Sequence, residues 1–339
     1  MSYKNIYILG VGGSGMSSIA KYLKQKGDNV IGYDQRKSYV TNLLNQDGIK
    51  VVHTIDEITY KPESLYIYSS AIPIESDRFE DFYDKENVLS RPEYLKNLSE
   101  NHKIIGITGT HGKTSTTALL SHIFHFNNVN VSYLYGGITT FNGIGGHYGD
   151  PDQPLILETD EAFNTFEKIK ISDLLVLNVD SDHLDYFKNL DNYKDAFYKV
   201  MKNVTDNLVI NNDDLNIKSM KKLKNPVSYG KDISADFKVQ SPGTFLYENN
   251  KYEIKSDIIG DHFKANMLGA IILALLNGIK IKDSLNAIES FAGVKRRIEL
   301  IGISKGVLIY DDYGHHPTEM EATITALKQQ TKSLSLIHI

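Results

Sequence analysis

The chain has 339 residues, no cysteine, a formal net charge of −5, and 41% hydrophobic against 23% charged residues. That length exceeds one ordinary domain and predicts two or three. The charge balance excludes a nucleic-acid partner held by bulk electrostatics, and the lack of cysteine excludes disulfides, thiolate metal sites and a cysteine nucleophile.

The first element is the apolar run Ile6-Tyr7-Ile8-Leu9, a strand by composition, reached from Met1-Ser2-Tyr3-Lys4-Asn5 without the apolar segment of a signal peptide. Gly10-Val11-Gly12-Gly13-Ser14-Gly15-Met16 and a helical stretch to about Lys26 follow it. A G-x-G-x-x-G turn between strand and helix lets backbone N–H groups approach a diphosphate closely. Asp34, at the end of the next strand Val30-Ile31-Gly32-Tyr33, is placed as a ribose-binding acid. The loop by itself leaves open whether nicotinamide, flavin or a nucleotide sugar hangs from the diphosphate. Strand-like runs at 6–9, 30–33 and 65–69 alternate with amphipathic helices, which predicts a Rossmann-like parallel-sheet α/β domain over residues 1–98. The polar segment 97–102 reads as a linker.

A second domain, residues 99–295, opens on the apolar run 103–108 and Gly109-Thr110-His111-Gly112-Lys113-Thr114-Ser115, followed by helical periodicity over 114–126. This is a phosphate-binding loop: N–H groups and the positive helix end converge on one point. Lys113 adds a charge toward the outer phosphates, the Thr114 hydroxyl is placed to ligate Mg²⁺, and the predicted ligand is Mg·ATP. The spacing departs from the general pattern, since Gly106 and Gly112 enclose five residues where four are usual. Two acidic clusters then follow apolar strands, Glu158-Thr159-Asp160-Glu161 and Asp180-Ser181-Asp182-His183-Leu184-Asp185. Ligands of open parallel sheets collect beyond the carboxyl ends of the strands, so both clusters are expected to face the loop, with Glu158 and His183 as Mg²⁺ ligands. The longest apolar run, about twelve residues over 268–279, is too short for a bilayer and reads as a buried helix before another at 284–291. A cytoplasmic protein without a membrane partner is the resulting expectation.

The last segment, residues 296–339, starts at Arg296-Arg297 and carries a strand at 306–310, the turn Asp311-Asp312-Tyr313-Gly314-His315-His316-Pro317-Thr318, a helix from Thr318 to about Gln329 and a strand-like run at 334–339. A chain that stops inside a βαβ pattern is expected to be incomplete, leaving this as the start of a third Rossmann-like α/β domain. Adjacent histidines in such a turn can bind metal, act as acid and base, or hydrogen-bond the turn.

Taken in order, 10–16, 68–73, 109–115, 158–161, 178–185, 293–297 and 311–318 resemble the Mur ligases, ATP-dependent ligases of cell-wall precursor synthesis. The Gly-Gly-Ser-Gly-Met start, the Thr-His-Gly-Lys-Thr loop and Asp-Asp-Tyr-Gly-His-His-Pro are most similar to the branch that adds L-alanine. The resemblance implies a three-domain enzyme, monomeric or homodimeric, that joins L-alanine to UDP-N-acetylmuramate through an acyl phosphate in peptidoglycan synthesis. UDP-N-acetylmuramate would lie on Gly10, Gly12, Gly13, Ser14, Gly15, Met16, Asp34 and Ser70. ATP would lie on residues 109–115, with His262 and Asn266 near the adenine and Arg297 and Asp312 closing on it. Thr114, Glu158 and His183 would serve Mg²⁺. Lys113, His183, Arg297, His315 and His316 would be catalytic, with Tyr313 and the two histidines facing L-alanine. The chain departs from the family at Ala162 and Phe163, where an Asp is usual, and at Tyr198, where related ligases place a carbamoylated lysine. Three other readings remain at this point: a ligase that adds a preformed tripeptide, a nucleotide-binding fragment without turnover, and an NAD-dependent oxidoreductase. The last leaves Lys113, Glu158 and His183 without a task.

Overall fold

The computed structural model describes residues 3–182, 184–220, 223, 225–331 and 333–337, and the chain forms two compact units. The first contains residues up to Gly106, Asn130–Ile138 and Asn142–Ser172. Its strands β1 (Ile6–Leu9), β2 (Val30–Tyr33), β3 (Lys50–Val52), β4 (Leu65–Tyr68) and β5 (Val88–Ser90) form a parallel sheet in the order β3-β2-β1-β4-β5. All four residues of β1 are buried, as a strand covered on both faces requires. Behind it Tyr7 stacks on Tyr66 at 4.9 Å, inside a core with Tyr33, Phe79 and Phe82. Helices α1 (Ser14–Lys26), α2 (Tyr39–Gln46) and α3 (Arg91–Ser99) follow three of the strands. The last two start at capping boxes, Ser38 with Thr41 and Ser90 with Glu93, which satisfy amides that the first turn leaves without partners.

The strand β6 (Ile104–Thr108) passes from this unit into the other. Strands β7 (Ser132–Thr139), β8 (Gly143–His147) and β9 (Leu155–Glu158) complete the first unit, with β7 parallel to β9. Helix α1 packs on β8 so closely that a Cβ at Gly146 would lie 2.0 Å from the Ser18 carbonyl oxygen. The buried Lys21 ammonium donates to the carbonyls of Asn142 and Ile144 there.

The second unit contains Ile107–Val129, Thr139–Phe141 and Asp173 onward. Helix α4 (Lys113–Phe126) leaves the phosphate loop, and β10 (Asp173–Val176) is followed by α5 (Leu184–Phe187) and α6 (Leu190–Lys202). Next come β11 (Leu208–Asn211), α7 (Leu215–Lys218), β12 (Val227–Gly230) and β13 (Phe237–Ser241). Strands β10 to β13 pair in parallel, and β14 (Thr244–Tyr247) and β15 (Asn250–Glu253) extend the sheet antiparallel. The apolar run read as a core helix lies in α8 (Asp261–Leu276), buried from Asn266 to Ala274 and packed on α4 and on α9 (Ile281–Glu289). The chain continues as the antiparallel hairpin β16 (Glu299–Ser304) and β17 (Val307–Asp311), then α10 (Pro317–Lys328).

One expectation differs. Residues 333–337 form no strand, and Leu336 and Ile337 are 64% and 78% exposed. A strand needs a neighbour to take its N–H and C=O groups, and among the described residues none pairs with this segment. Residues 338 and 339 lie outside the described residues. No described helix is long and apolar enough to cross a membrane.

Candidate nucleotide-binding site

In the second unit β6 ends at Thr108 and the chain turns through Gly109 and Gly112, whose φ values of 143° and 86° favour glycine. Gly112 is the N-cap of α4, and a Cβ there would stand 2.4 Å from Asn266 Nδ2 on α8. A side chain is excluded, and the backbone is left open to a ligand. The Lys113 ammonium folds back onto the loop, donating to Gly109 O at 2.8 Å and Thr110 O at 3.2 Å. Thr114 is buried at the first turn of α4. The loop is fastened from the strand-end turn after β10. Thr110 N–H donates to Asn178 O, His111 N–H donates to Asn178 Oδ1 at 2.8 Å, and Asn178 Nδ2 donates to His111 O at 2.9 Å. Thr110 Oγ1 accepts from Asp180 N–H at 2.8 Å and lies 3.0 Å from the Tyr193 hydroxyl.

His111 stands at the centre of a charged cluster. Its Nδ1 is 3.2 Å from Glu319 Oε1 on α10, and its Nε2 is 3.2 Å from Asp180 Oδ2. Thr318 Oγ1 donates to that same Asp180 oxygen at 2.7 Å. Burial opposes a charge on His111, but the two carboxylate hydrogen bonds outweigh it and raise the imidazole pKa. Burial on its own would raise Glu319, yet the His111 bond and the Arg297 charge, 3.8 Å away, hold its carboxyl at about 2. Asp180 is lowered in the same way: burial opposes, and bonds from Thr318, the Ser181 amide and His111 prevail. The arrangement suits an imidazolium bridging two carboxylates.

A cleft of about 480 Å³ opens beside the loop, within the range of small-molecule sites. Its wall includes His111, Gly112, Ser115, His262, Asn266, Arg297 and Asp312. Burial pushes His262 toward its neutral form. Both Asp312 oxygens hold the local backbone, accepting from Ile298 N–H and Gly314 N–H at 2.8 Å each, and so brace the segment that carries Arg297. Tyr313 is exposed beneath the Arg296 and Arg297 guanidinium groups, His315 lies against Tyr313, and the His316 ring is 4.8 Å from that of His111. His183 lies outside the described residues.

In the first unit the glycine loop is held by Asp34, which accepts from Gly12 N–H at 2.8 Å and from Arg36 N–H at 3.0 Å. A Cβ at Gly12 would meet that carboxylate at 2.7 Å. Asp34 therefore fixes the loop whatever else it binds. Gly10 has φ of 79°, Gly13 and Ser14 are exposed at the start of α1, Met16 is buried, and Ser70 is exposed beyond β4. Glu158 Oε2 accepts from Gly136 N–H at 2.6 Å, and a Cβ at Gly136 would lie 3.1 Å from Ser14 Oγ, so Glu158 belongs beside the glycine loop. Arg91 joins them: its Cζ is 2.9 Å from where a Gly15 Cβ would stand, and it lines one recess with Gly136 and Glu158.

Sequence reasoning missed Arg91, Asn178, Asp180 and Glu319. An acid in the first turn of a helix, as at Glu319, reads as a response to the helix dipole. Asp180 stood in a cluster where His183 drew the choice. Arg91 carried one signal, a cation at the start of α3 directly after a strand end.

Parallel strands running into glycine loops and helix N-termini, with cations and acids gathered there, define an α/β nucleotide-binding protein. Residues 5–103 match the catalytic domain of the Mur ligase family, 107–274 the Mur ligase middle domain, and 296–339 the Mur ligase glutamate ligase domain. The chain is 32% identical to the UDP-N-acetylmuramate–L-alanine ligase of Cytophaga hutchinsonii, an alignment covering 96% of this chain and 74% of that one. It is 35% identical to the enzyme of the same name from Clostridium botulinum, with the same two coverages. The chain belongs to the Mur ligase family and spans about three-quarters of the length of these relatives. Its fold is that of the UDP-N-acetylmuramate-alanine ligase MurC of Thermotoga maritima, with a TM-score of 0.82 at 24% identity over 96% of this chain and 77% of that one. It is also that of the UDP-N-acetylmuramate:L-alanyl-gamma-D-glutamyl-meso-diaminopimelate ligase of Neisseria meningitides, with a TM-score of 0.74 at 23% identity over 87% of this chain and all of that one.

Proposed function

We propose that the protein joins L-alanine to the carboxylate of UDP-N-acetylmuramate at the expense of ATP, a step in building peptidoglycan precursors. The observation that carries this reading is the identity of 32% to 35% with ligases of that name across 96% of the chain, phosphate loop and Asp-Asp-Tyr-Gly-His-His-Pro turn included. In this reading residues 1–98 hold the sugar nucleotide, 99–295 hold ATP and 296–339 begin the amino-acid domain. The protein acts in the cytoplasm as a monomer or homodimer.

A carboxylate resists an amine because its charge and poor leaving group oppose attack, so it must first be activated. The muramyl carboxylate attacks the γ-phosphorus of ATP, giving an acyl phosphate and ADP. The α-amine of L-alanine then displaces phosphate to form the amide. Lys113 leaves its loop carbonyls for the γ-phosphate and offsets the charge that gathers there, while the amides after Gly109 cradle the β-phosphate. The Thr114 hydroxyl and the Glu158 carboxylate are hard oxygen donors of the kind Mg²⁺ takes alongside phosphates, and His183 completes the proposed set. Mg²⁺ bound there would supply charge neutralisation on the phosphates. The amine of L-alanine must lose its proton, and His315 and His316 are the candidate bases. His262 and Asn266 contact the adenine, and Arg297 closes on ATP.

The test is ADP release by the full chain with UDP-N-acetylmuramate, ATP and either L-alanine or the tripeptide L-alanyl-γ-D-glutamyl-meso-diaminopimelate. Release that requires L-alanine supports the reading, and release that requires the tripeptide replaces it with the recycling ligase. If neither amine elicits release, thermal melting separates the remaining readings, since ligands that bind the folded state raise its stability. Shifts with UDP-N-acetylmuramate and ATP would mark a binding fragment, and a shift with NAD alone an oxidoreductase.

A further inference from the structure

We propose that His111, Asp180 and His316 form a binding site for a divalent transition metal of the Zn²⁺ class, separate from the Mg²⁺ that accompanies ATP. Among the described residues these three bring one ligand atom each to within 4.8 Å of one another. Two imidazoles and one carboxylate are a zinc-type donor set, and Mg²⁺ prefers oxygen alone.

The geometry goes beyond proximity. Four-coordinate Zn²⁺ with bonds of about 2.0–2.1 Å sets neighbouring donors roughly 3.3 Å apart, and His111 Nε2 stands 3.2 Å from Asp180 Oδ2. That edge of the tetrahedron is already formed. His111 Nδ1 faces Glu319 Oε1 at 3.2 Å, so the Nδ1–H bond to the carboxylate is kept when the metal takes the place of the Nε2 proton that otherwise faces Asp180. A carboxylate behind a histidine is the usual outer support of a metal-ligating imidazole. Asp180 is oriented in its turn by the Thr318 hydroxyl at 2.7 Å and the Ser181 amide at 2.7 Å.

His316 supplies the third ligand by a shift of its half-buried ring at the N-cap of α10. Among the described residues its ring nitrogens make long contacts, Nε2 to Ser181 O at 3.2 Å and Nδ1 accepting from Thr318 N–H at 3.3 Å. Two of the three ligands ride on segments next to the nucleotide cleft, whose wall includes His111, Asp180, Thr318 and Glu319. The bound metal clasps the phosphate loop, the strand-end turn after β10 and the start of α10 in the nucleotide-free protein. Its fourth position is left to water. This inference does not rest on the ligase reading.

The test is titration of the tag-free, chelator-stripped full chain with Co²⁺, without nucleotide and with excess Mg²⁺, following the visible bands of four-coordinate Co²⁺. The expected result is one equivalent bound and displaced by Zn²⁺, with His316→Ala and Asp180→Asn each weakening binding at least tenfold. Glu319→Gln is expected to weaken it about 10–100-fold through the outer support, and His183→Ala to leave it unchanged. Circular dichroism confirms that each variant is folded, and Glu319→Gln keeps the test alive should Asp180→Asn unfold. Absence of the bands, binding that survives both ligand substitutions, or loss only in His183→Ala would overturn the assignment.

Discussion

His111 and Asn178 are joined by a reciprocal pair of hydrogen bonds, 2.8 Å from the His111 amide to Asn178 Oδ1 and 2.9 Å from Asn178 Nδ2 to the His111 carbonyl. A side-chain amide thus holds the backbone of the phosphate loop beyond the end of β6. Asn178→Ala removes both bonds and leaves a partly buried donor and acceptor unmatched, at an expected cost of about 1–3 kcal/mol. Chemical denaturation reads the loss of stability and calorimetric titration a weaker affinity for ATP. Asn178→Asp keeps the acceptor, turns the donor into a repelling oxygen, and is expected to do no better.

Gly112→Ala meets two obstacles, the positive φ of 86° and Asn266 Nδ2 at 2.4 Å from the new Cβ. Strain of about 1–3 kcal/mol is expected, together with loss of ATP binding as Asn266 is driven from its place. Adding Asn266→Ala should restore part of the stability and none of the affinity. Full recovery of nucleotide binding in the double variant would show that the loop tolerates the side chain.

Lys113→Ala removes the charge proposed to meet the γ-phosphate, while the loop backbone stays held by Asn178. ADP formation is expected to fall by roughly 100–1000-fold or more, with affinity for UDP-N-acetylmuramate nearly unchanged. Retained turnover would take Lys113 out of the mechanism.

Arg91 lies against Gly15 and lines the recess that holds Glu158. A guanidinium beside a glycine loop suits the diphosphate or the muramyl carboxylate of the sugar nucleotide. Arg91→Ala is expected to cost about 1.5–3 kcal/mol of UDP-N-acetylmuramate affinity, the worth of a charged hydrogen bond, and to leave ATP affinity intact. Calorimetric titration with each nucleotide separates the two.

His122 predicts a pH dependence of stability. It is buried, its Nε2 faces Ala287 O at 3.1 Å and Ser290 Oγ at 3.0 Å, and Phe126, Phe141 and Phe291 surround the ring. Burial, with a smaller push from His125, lowers its pKa below the usual 6.5, although the Ala287 bond opposes this. The unfolded chain therefore takes the proton first on acidification. The stabilisation is complete above 6.5 and is lost as the pH falls toward the folded value. Melting temperatures taken between about pH 7.5 and 5.5 should fall less steeply in His122→Gln than in the parent. Equal slopes would assign the acid sensitivity to other groups.

Both glycine loops are legible in the order of residues, because each is a local object. A β-branched run, two or three glycines and a helix start within about ten residues compel the backbone amides to converge. The long apolar stretch in α8 is equally plain, since a helix apolar all round has only a core to lie in. The terminal run 334–337 shows the limit of such reading: apolar composition proposes a strand, and only a partner makes one.

Local chemistry along the chain pointed to what each segment offers: amides for a diphosphate at Gly10 to Gly15, amides for a phosphate at Gly109 to Ser115, and acids at 158–161 and 178–185. Which of these meet was left to the packing of whole elements. His111 finds Asp180 and Glu319, 69 and 208 residues away in the chain, because strand order and the docking of α10 bring them there. Glu158 comes to lie beside Ser14 because β9 pairs with β7 and Gly136 leaves room between them. Periodicity and turn chemistry act over a few residues, whereas such encounters depend on how strands and helices assemble across the fold, and no local pattern in the chain encodes that.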